Sequence, residues 1–200
     1  MVTAAVSPPI VCDVSGNGEF ACYTDGSCKA GDASPGGWGF YVRPPAGPPI
    51  EGHGSAVRTM AKVMEYRAVA EALDVLPEGA RAVVFSDNQS LVEGLPKNLE
   101  RVRSNALSKL DPLVLDSLER ISATLLAKRL TVRWQWVRAH NGNAGNERAD
   151  QLAAAAVVLA PAGVAAQQPT LPDLPAPAPT ADAGLAGPPV WPSRRSGRDA

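Results

Sequence analysis

Two short apolar runs, each closed by an aspartate, constrain this chain more than any other feature. The first is Phe20-Ala21-Cys22-Tyr23-Thr24-Asp25-Gly26-Ser27 and the second Ala82-Val83-Val84-Phe85-Ser86-Asp87-Asn88. Both are brief, rich in β-prone residues and bounded by turn or helix-start residues, the pattern of a buried strand. If the two strands lie parallel in one sheet, Asp25 and Asp87 reach the same edge, the carboxyl end where open α/β sheets bind ligands. Two carboxylates forced together repel, so a cation is the natural reason for such an arrangement.

Two further acids fit. Over residues 60–76 the pattern is helical, and Glu65 shares a face with Ala61, Ala68, Ala72 and Leu76 by three- and four-residue spacing. An acid on an apolar face needs a partner. In Asn146-Glu147-Arg148-Ala149-Asp150-Gln151-Leu152-Ala153-Ala154, Asp150 lies one turn before Ala153 and Ala154, again at the margin of an apolar face. Four carboxylates are therefore available for a fold to converge.

The intervening chain reads as an α/β domain. Residues 38–42 and 50–57 form strands separated by Pro44-Pro45-Ala46-Gly47-Pro48-Pro49, a turn because proline fixes φ and lacks a ladder donor. A helix over 60–76 leads to the strand 82–85, expected parallel to the first strand through a right-handed crossover. A short helix over 88–93 is expected to stop at Gly94-Leu95-Pro96, with residues 97–105 a moderately basic connector or substrate-backbone contact. An amphipathic helix over 110–126, a strand over 130–137, a mobile Gly/Asn loop over 138–145 and a last helix over 146–159 complete the pattern. The tryptophans Trp134 and Trp136 are expected to pack on the strand face. Residues 1–19 read as a loose leader and 160–200 as an Ala/Pro-rich tail that buries too little to order itself.

Among 200 residues the net charge is −1, which by itself does not suggest a polyanion partner. Through Leu159 the chain carries 16 basic and 17 acidic residues, and setting aside the four proposed site acids leaves 16 against 13. Cys12, Cys22 and Cys28 have neither metal-site spacing nor an even count, so they are expected to be reduced thiols of a cytoplasmic protein. No run approaches a membrane span and no charged signal region opens the chain, so no membrane partner is expected.

Thr24-Asp25-Gly26-Ser27-Cys28, Gly36-Gly37-Trp38-Gly39, Met64-Glu65, Ser86-Asp87-Asn88-Gln89, Trp134-Gln135-Trp136-Val137-Arg138-Ala139-His140 and Asn146-Glu147-Arg148-Ala149-Asp150 together resemble the ordered motif set of type 1 ribonuclease H, over roughly residues 20–159. The resemblance implies a ribonuclease H-like fold: a five-stranded mixed sheet, an antiparallel meander of three strands with two added in parallel, flanked by helices. It assigns Asp25, Glu65, Asp87 and Asp150 as ligands of two Mg²⁺ ions, with Mn²⁺ a possible substitute. It gives His140, on its loop, an auxiliary catalytic role in proton transfer or product release. Cys28 (largely through backbone groups), Asn88 and Gln89 are the implied substrate contacts, while Ala61 and Lys62 stand where the family carries paired asparagines. His53 matches no motif.

The implied activity is endonucleolytic hydrolysis of the RNA strand of RNA–DNA hybrids by a two-metal-ion mechanism, leaving 3′-hydroxyl and 5′-phosphate ends, by a monomer. Such chemistry suits four carboxylates, since one hard cation activates water and another stabilises the leaving oxygen, and oxygen donors favour magnesium. The rival readings are a related nuclease of the same fold, the ribonuclease H part of a polymerase, and a hybrid-binding module without catalysis.

Overall fold

The computed structural model describes residues 18–29 and 34–159. The tail over 160–200 and all of the leader but Gly18 and Glu19 lie outside the described residues. Five strands, β1 (Phe20–Cys28), β2 (Ser34–Arg43), β3 (Ile50–Thr59), β4 (Arg81–Ser86) and β5 (Thr131–Trp136), alternate with four α-helices, α1 (Ala61–Asp74), α2 (Gln89–Arg103), α3 (Leu115–Ala127) and α4 (Ala144–Leu159). The sheet order is β3-β2-β1-β4-β5. β1–β2 and β2–β3 are antiparallel, while β1–β4 and β4–β5 are parallel, the mixed sheet expected from sequence.

Alternation along β1 divides its side chains between two cores. Cys22 joins Val42, Val84, Leu73, Leu95, Leu118 and Ile121 beneath α1, α2 and α3. Ala21 and Tyr23 join Val83, Phe85 and Ala149 on the α4 face, where the Tyr23 and Phe85 rings stack at 4.7 Å between centroids. α1 and α3 are further joined by Arg120, which donates to the Glu71 carboxylate at 2.8 Å and also pairs with Asp74. Among the described residues no helix is long and apolar enough to cross a membrane.

Several places depart from the sequence reading. α2 does not stop at Gly94-Leu95-Pro96 but continues through Pro96 to Arg103, absorbing most of the expected connector. A proline inside a helix costs about 3 kcal/mol. Leu91, Leu95 and Leu99, four residues apart and all buried in the larger core, offset that at about 1.5–3 kcal/mol each. α3 starts at Leu115, five residues later than expected, behind a 3₁₀ turn over Pro112–Val114. Pro112 biases the residue before it toward extended backbone; Asp111 is extended there and accepts from the Leu113 amide at 2.9 Å. Glu19, assigned to the loose leader, is 5 % exposed and lies between Arg133 and Arg81, at 2.7 and 3.4 Å.

Candidate active site

The register carries Asp25, inside β1, and Asp87, the residue after β4, to one edge. Tyr23 of β1 pairs with Phe85 of β4, so Asp25 and Asp87, each two residues further along the chain, come level. The Thr24 hydroxyl donates to the Phe85 carbonyl at 3.4 Å, tying the two strands just before the acids. The Trp136 indole N–H, at the end of β5, donates to the Asp87 carbonyl at 3.0 Å.

Glycine brings the helices close enough for their acids to join. A Cβ on Gly26 would lie 2.2 Å from the Glu65 backbone nitrogen, so only glycine lets α1 approach β1 and deliver Glu65 beside Asp25. On the opposite face, Cβ atoms on Gly37 and Gly39 would lie 2.3 and 2.6 Å from the Ala153 and Ala149 carbonyl oxygens. That seam seats α4 against the sheet and sets the position of Asp150.

One carboxylate oxygen from each of Asp25, Glu65 and Asp87 lies within 4.8 Å of the others. Asp25 and Glu65 are each only 8 % exposed. Asp150 is half-buried and shares a hydrogen bond with Asp25, although it lies outside the set of three. Burial first, then the Asp87 and Asp150 charges, push the Asp25 carboxyl up to about 7. Burial, with Asp25 and Asp87 behind it, pushes Glu65 up to about 9 against a hydrogen bond from Asn88 that favours its charged form. Glu65 Oε2 is buried with no hydrogen-bond partner. Crowded acids with a bare oxygen among them are unfavourable unless something positive joins them. The donors are all carboxylate oxygens, which suits a hard divalent cation of the magnesium type.

The remaining sequence-derived candidates divide. His140 lies outside the acid set, exposed on the turn after β5 with φ +49°. The loop beyond it is tied rather than loose: Gly142 N–H donates to the Glu147 carboxylate at 3.1 Å, and Asn143 Oδ1 accepts from Gly145 and Asn146 at the start of α4. Asn88 caps α2, its Oδ1 accepting from the Leu91 amide at 3.0 Å, and it also touches Glu65. Gln89 is exposed and donates to Glu93 at 2.7 Å. The Cys28 thiol is turned toward the Ser34 and Thr59 carbonyls. Lys62 pairs with Asp111 at 2.7 Å. Two residues to which the sequence reading gave no site role touch Asp87: Trp136, nearly half exposed, and Asn146, whose amide donates to Asp87 Oδ2 at 3.1 Å.

A family model described as RNase H matches residues 17–158. The chain belongs to the ribonuclease H family. A ribonuclease H of Polaromonas naphthalenivorans (strain CJ2) is 35 % identical over 134 residues, covering 66 % of this chain and 82 % of that one. Another, of Erythrobacter litoralis (strain HTCC2594), is 38 % identical over 143 residues, covering 68 % and 94 %. Among solved structures, LC11-RNase H1 in complex with RNA/DNA hybrid superposes with a TM-score of 0.53 at 20 % identity, over 71 % of this chain and 99 % of that one, a likeness of fold. In this ribonuclease H the acid cluster sits at the carboxyl edge of the parallel pair β1 and β4.

Proposed function

We propose that this ribonuclease H hydrolyses the RNA strand of RNA–DNA hybrids endonucleolytically, leaving 3′-hydroxyl and 5′-phosphate ends, with Asp25, Glu65, Asp87 and Asp150 holding Mg²⁺, for which Mn²⁺ can substitute. The observation that carries the reading is the convergence of three buried or half-buried carboxylates within 4.8 Å, one with an unpartnered buried oxygen, on a family fold. When bound, divalent cations supply charge for the attacking and leaving oxygens of phosphodiester hydrolysis.

The protein's own groups do the rest. Asp25 and Glu65 hold protons that burial stabilises and would give them up to serve as ligands, since a ligating carboxylate must be ionised. Gly26 lets the Glu65 backbone lie against β1 without a side chain between them. His140, exposed on the turn after β5, serves as an auxiliary group in proton transfer or product release. Cys28 through its backbone, Asn88 and Gln89 border the site on the substrate side; the exposure of Gln89 supports that role, whereas Asn88 is committed to the α2 cap and Glu65. A site assembled from elements of one chain supports action as a monomer, and the free thiols of Cys22 and Cys28 support a reducing cytoplasmic location.

The test is cleavage of an end-labelled RNA–DNA hybrid with and without Mg²⁺, beside double-stranded RNA, double-stranded DNA and single-stranded RNA. Cutting of the RNA strand of the hybrid alone, and only with the cation, is expected. Binding of the hybrid without cutting would replace the reading with that of a binding module.

A further inference from the structure

Asp87 differs from Asp25 and Glu65 in standing beyond its strand, half-buried, where the strand's own ladder no longer fixes it. Two outside groups hold it: Trp136 from β5 engages its backbone carbonyl, and Asn146 from α4 engages its side chain. Asn146 is the third residue of α4 and only 3 % exposed. Its backbone is pinned, because its N–H donates to Asn143 Oδ1 at 3.2 Å. The helix start is also pressed onto the ring of Tyr23, which a Cβ on Gly145 would meet at 2.4 Å.

The Asn146 amide is used at one end only. Nδ2 donates to Asp87 Oδ2 at 3.1 Å, while Oδ1 is buried without a hydrogen-bond partner. Chemistry decides the orientation: turned over, the amide oxygen would face a carboxylate oxygen, two acceptors with no proton between them. A buried asparagine kept only for packing would be expected to satisfy both ends. Among the described residues three buried side-chain polar atoms lack a partner, Trp38 Nε1, Glu65 Oε2 and Asn146 Oδ1, and both oxygens belong to the acid site, Glu65 as a member of the cluster and Asn146 as a contact of Asp87.

We propose that Asn146 is a positioning residue of the cation site: Nδ2 holds Asp87 Oδ2 so that Asp87 Oδ1 is turned to the cation, and Asn146 Oδ1 accepts a hydrogen bond from water carried in with the hydrated ion. The inference rests on the acid cluster being a divalent-cation site. Magnesium keeps several of its waters when protein-bound, so a loaded site supplies the donor that the amide oxygen lacks. Groups that orient a ligand in this way cost about 10–100-fold in metal affinity or activity when removed.

The experiment compares wild type, Asn146→Ala and the nearly isosteric Asn146→Leu. Mn²⁺ is titrated calorimetrically into substrate-free protein, metal-free melting is recorded, and kcat and KM are measured on an RNA–DNA hybrid. Either variant is expected to bind Mn²⁺ about 10–100-fold more weakly and to lose kcat with KM little changed. Its metal-free melting temperature should hold or rise, since an unsatisfied buried oxygen has gone. A folded variant with wild-type Mn²⁺ affinity would overturn the inference, as would a lowered melting temperature with affinity intact, the mark of packing alone. If Asn146→Ala does not fold, Asn146→Leu decides by the same readouts. Wild type that takes up no Mn²⁺ would overturn the cation reading itself, and this inference with it.

Discussion

The two ends of the parallel strands bury acids in opposite ways. At the amino end, Glu19 is almost wholly enclosed, and the guanidinium groups of Arg133 and Arg81 hold its carboxyl below the usual range. At the carboxyl end, Asp25 and Glu65 are buried to a similar degree, yet their nearest charged neighbours are other acids, and both are pushed well above the usual range. Burial is common to both ends and the partners are not. Where partners are supplied by the chain, the acid locks strands together. Where they are withheld, the chain stores unfavourable electrostatics that a ligand can relieve, the usual sign of a functional rather than a structural site.

The largest effect should come from the carboxyl end. Asp87→Asn keeps the shape and removes one charge, so the fold should persist while Mg²⁺-dependent cleavage falls by at least about 10³-fold, the rate equivalent of several kcal/mol of lost charge stabilisation. Hybrid binding should survive or tighten, because one source of repulsion toward the phosphates is gone. A gel assay and a hybrid titration on the same variant check both, and retained cleavage would remove Asp87 from the site.

His140→Ala should be milder. Water can replace a proton shuttle in part, so a loss within about 10²–10⁴-fold is expected, with residual cleavage still measurable. Turnover equal to wild type at every pH would show that the exposed imidazole takes no part.

Smaller again is the effect of filling the seam beneath α4. Gly39→Ala places a Cβ 2.6 Å from the Ala149 carbonyl oxygen and the Ala153 nitrogen, which should destabilise by about 1–3 kcal/mol and lift Asp150 away from Asp25. Denaturant unfolding measures the first and Mn²⁺ titration the second. Wild-type values for both would mean that the close approach of α4 is not what seats Asp150.

The smallest effect on activity belongs to the amino end. Glu19→Gln should leave kcat unchanged and lower the melting temperature at neutral pH. Because the folded carboxyl lies below its ordinary value of 4.5, its contribution is present above that value and lost as pH falls through the folded one. The melting difference between variant and wild type should therefore shrink in acid. A difference that stays constant with pH would sever Glu19 from its arginines.

Much of this contrast is legible in the residues, though unevenly. Asp25 and Asp87 stand out because a β-prone run closed by an acid is a local pattern, and Glu65 because an acid on an apolar helix face breaks one. Glu19 does not, since its partners lie 62 and 114 residues away and the glycine-rich stretch before it resembles a free leader. α2 outruns its local signals for a related reason: Gly94 and Pro96 signal a stop locally, while the burial of Leu91, Leu95 and Leu99 depends on the larger core. β2 begins at Ser34 rather than at residue 38 because Gly36 and Gly37, turn signals locally, pair with Cys28 and Ser27 of β1, and Gly37 meets α4. Asn146 was visible as part of a motif, but its burial follows from Gly145 meeting Tyr23, a contact between distant segments.

Thermal unfolding of metal-free wild type and Asp25→Asn between pH 5 and 9, repeated with Mn²⁺, tests the acid edge most directly. Asp25 and Glu65, raised to about 7 and about 9, stay protonated in the fold where the unfolded chain ionises. Metal-free wild type should therefore lose stability progressively from the ordinary carboxyl range up toward pH 9 and level off above it. Mn²⁺ should restore it. Asp25→Asn should melt higher than wild type without metal at pH 8 and gain little from Mn²⁺. A metal-free Asp25→Asn that melts lower than wild type, with the Mn²⁺ gain intact, would contradict the account of these acids as a strained site completed by cations.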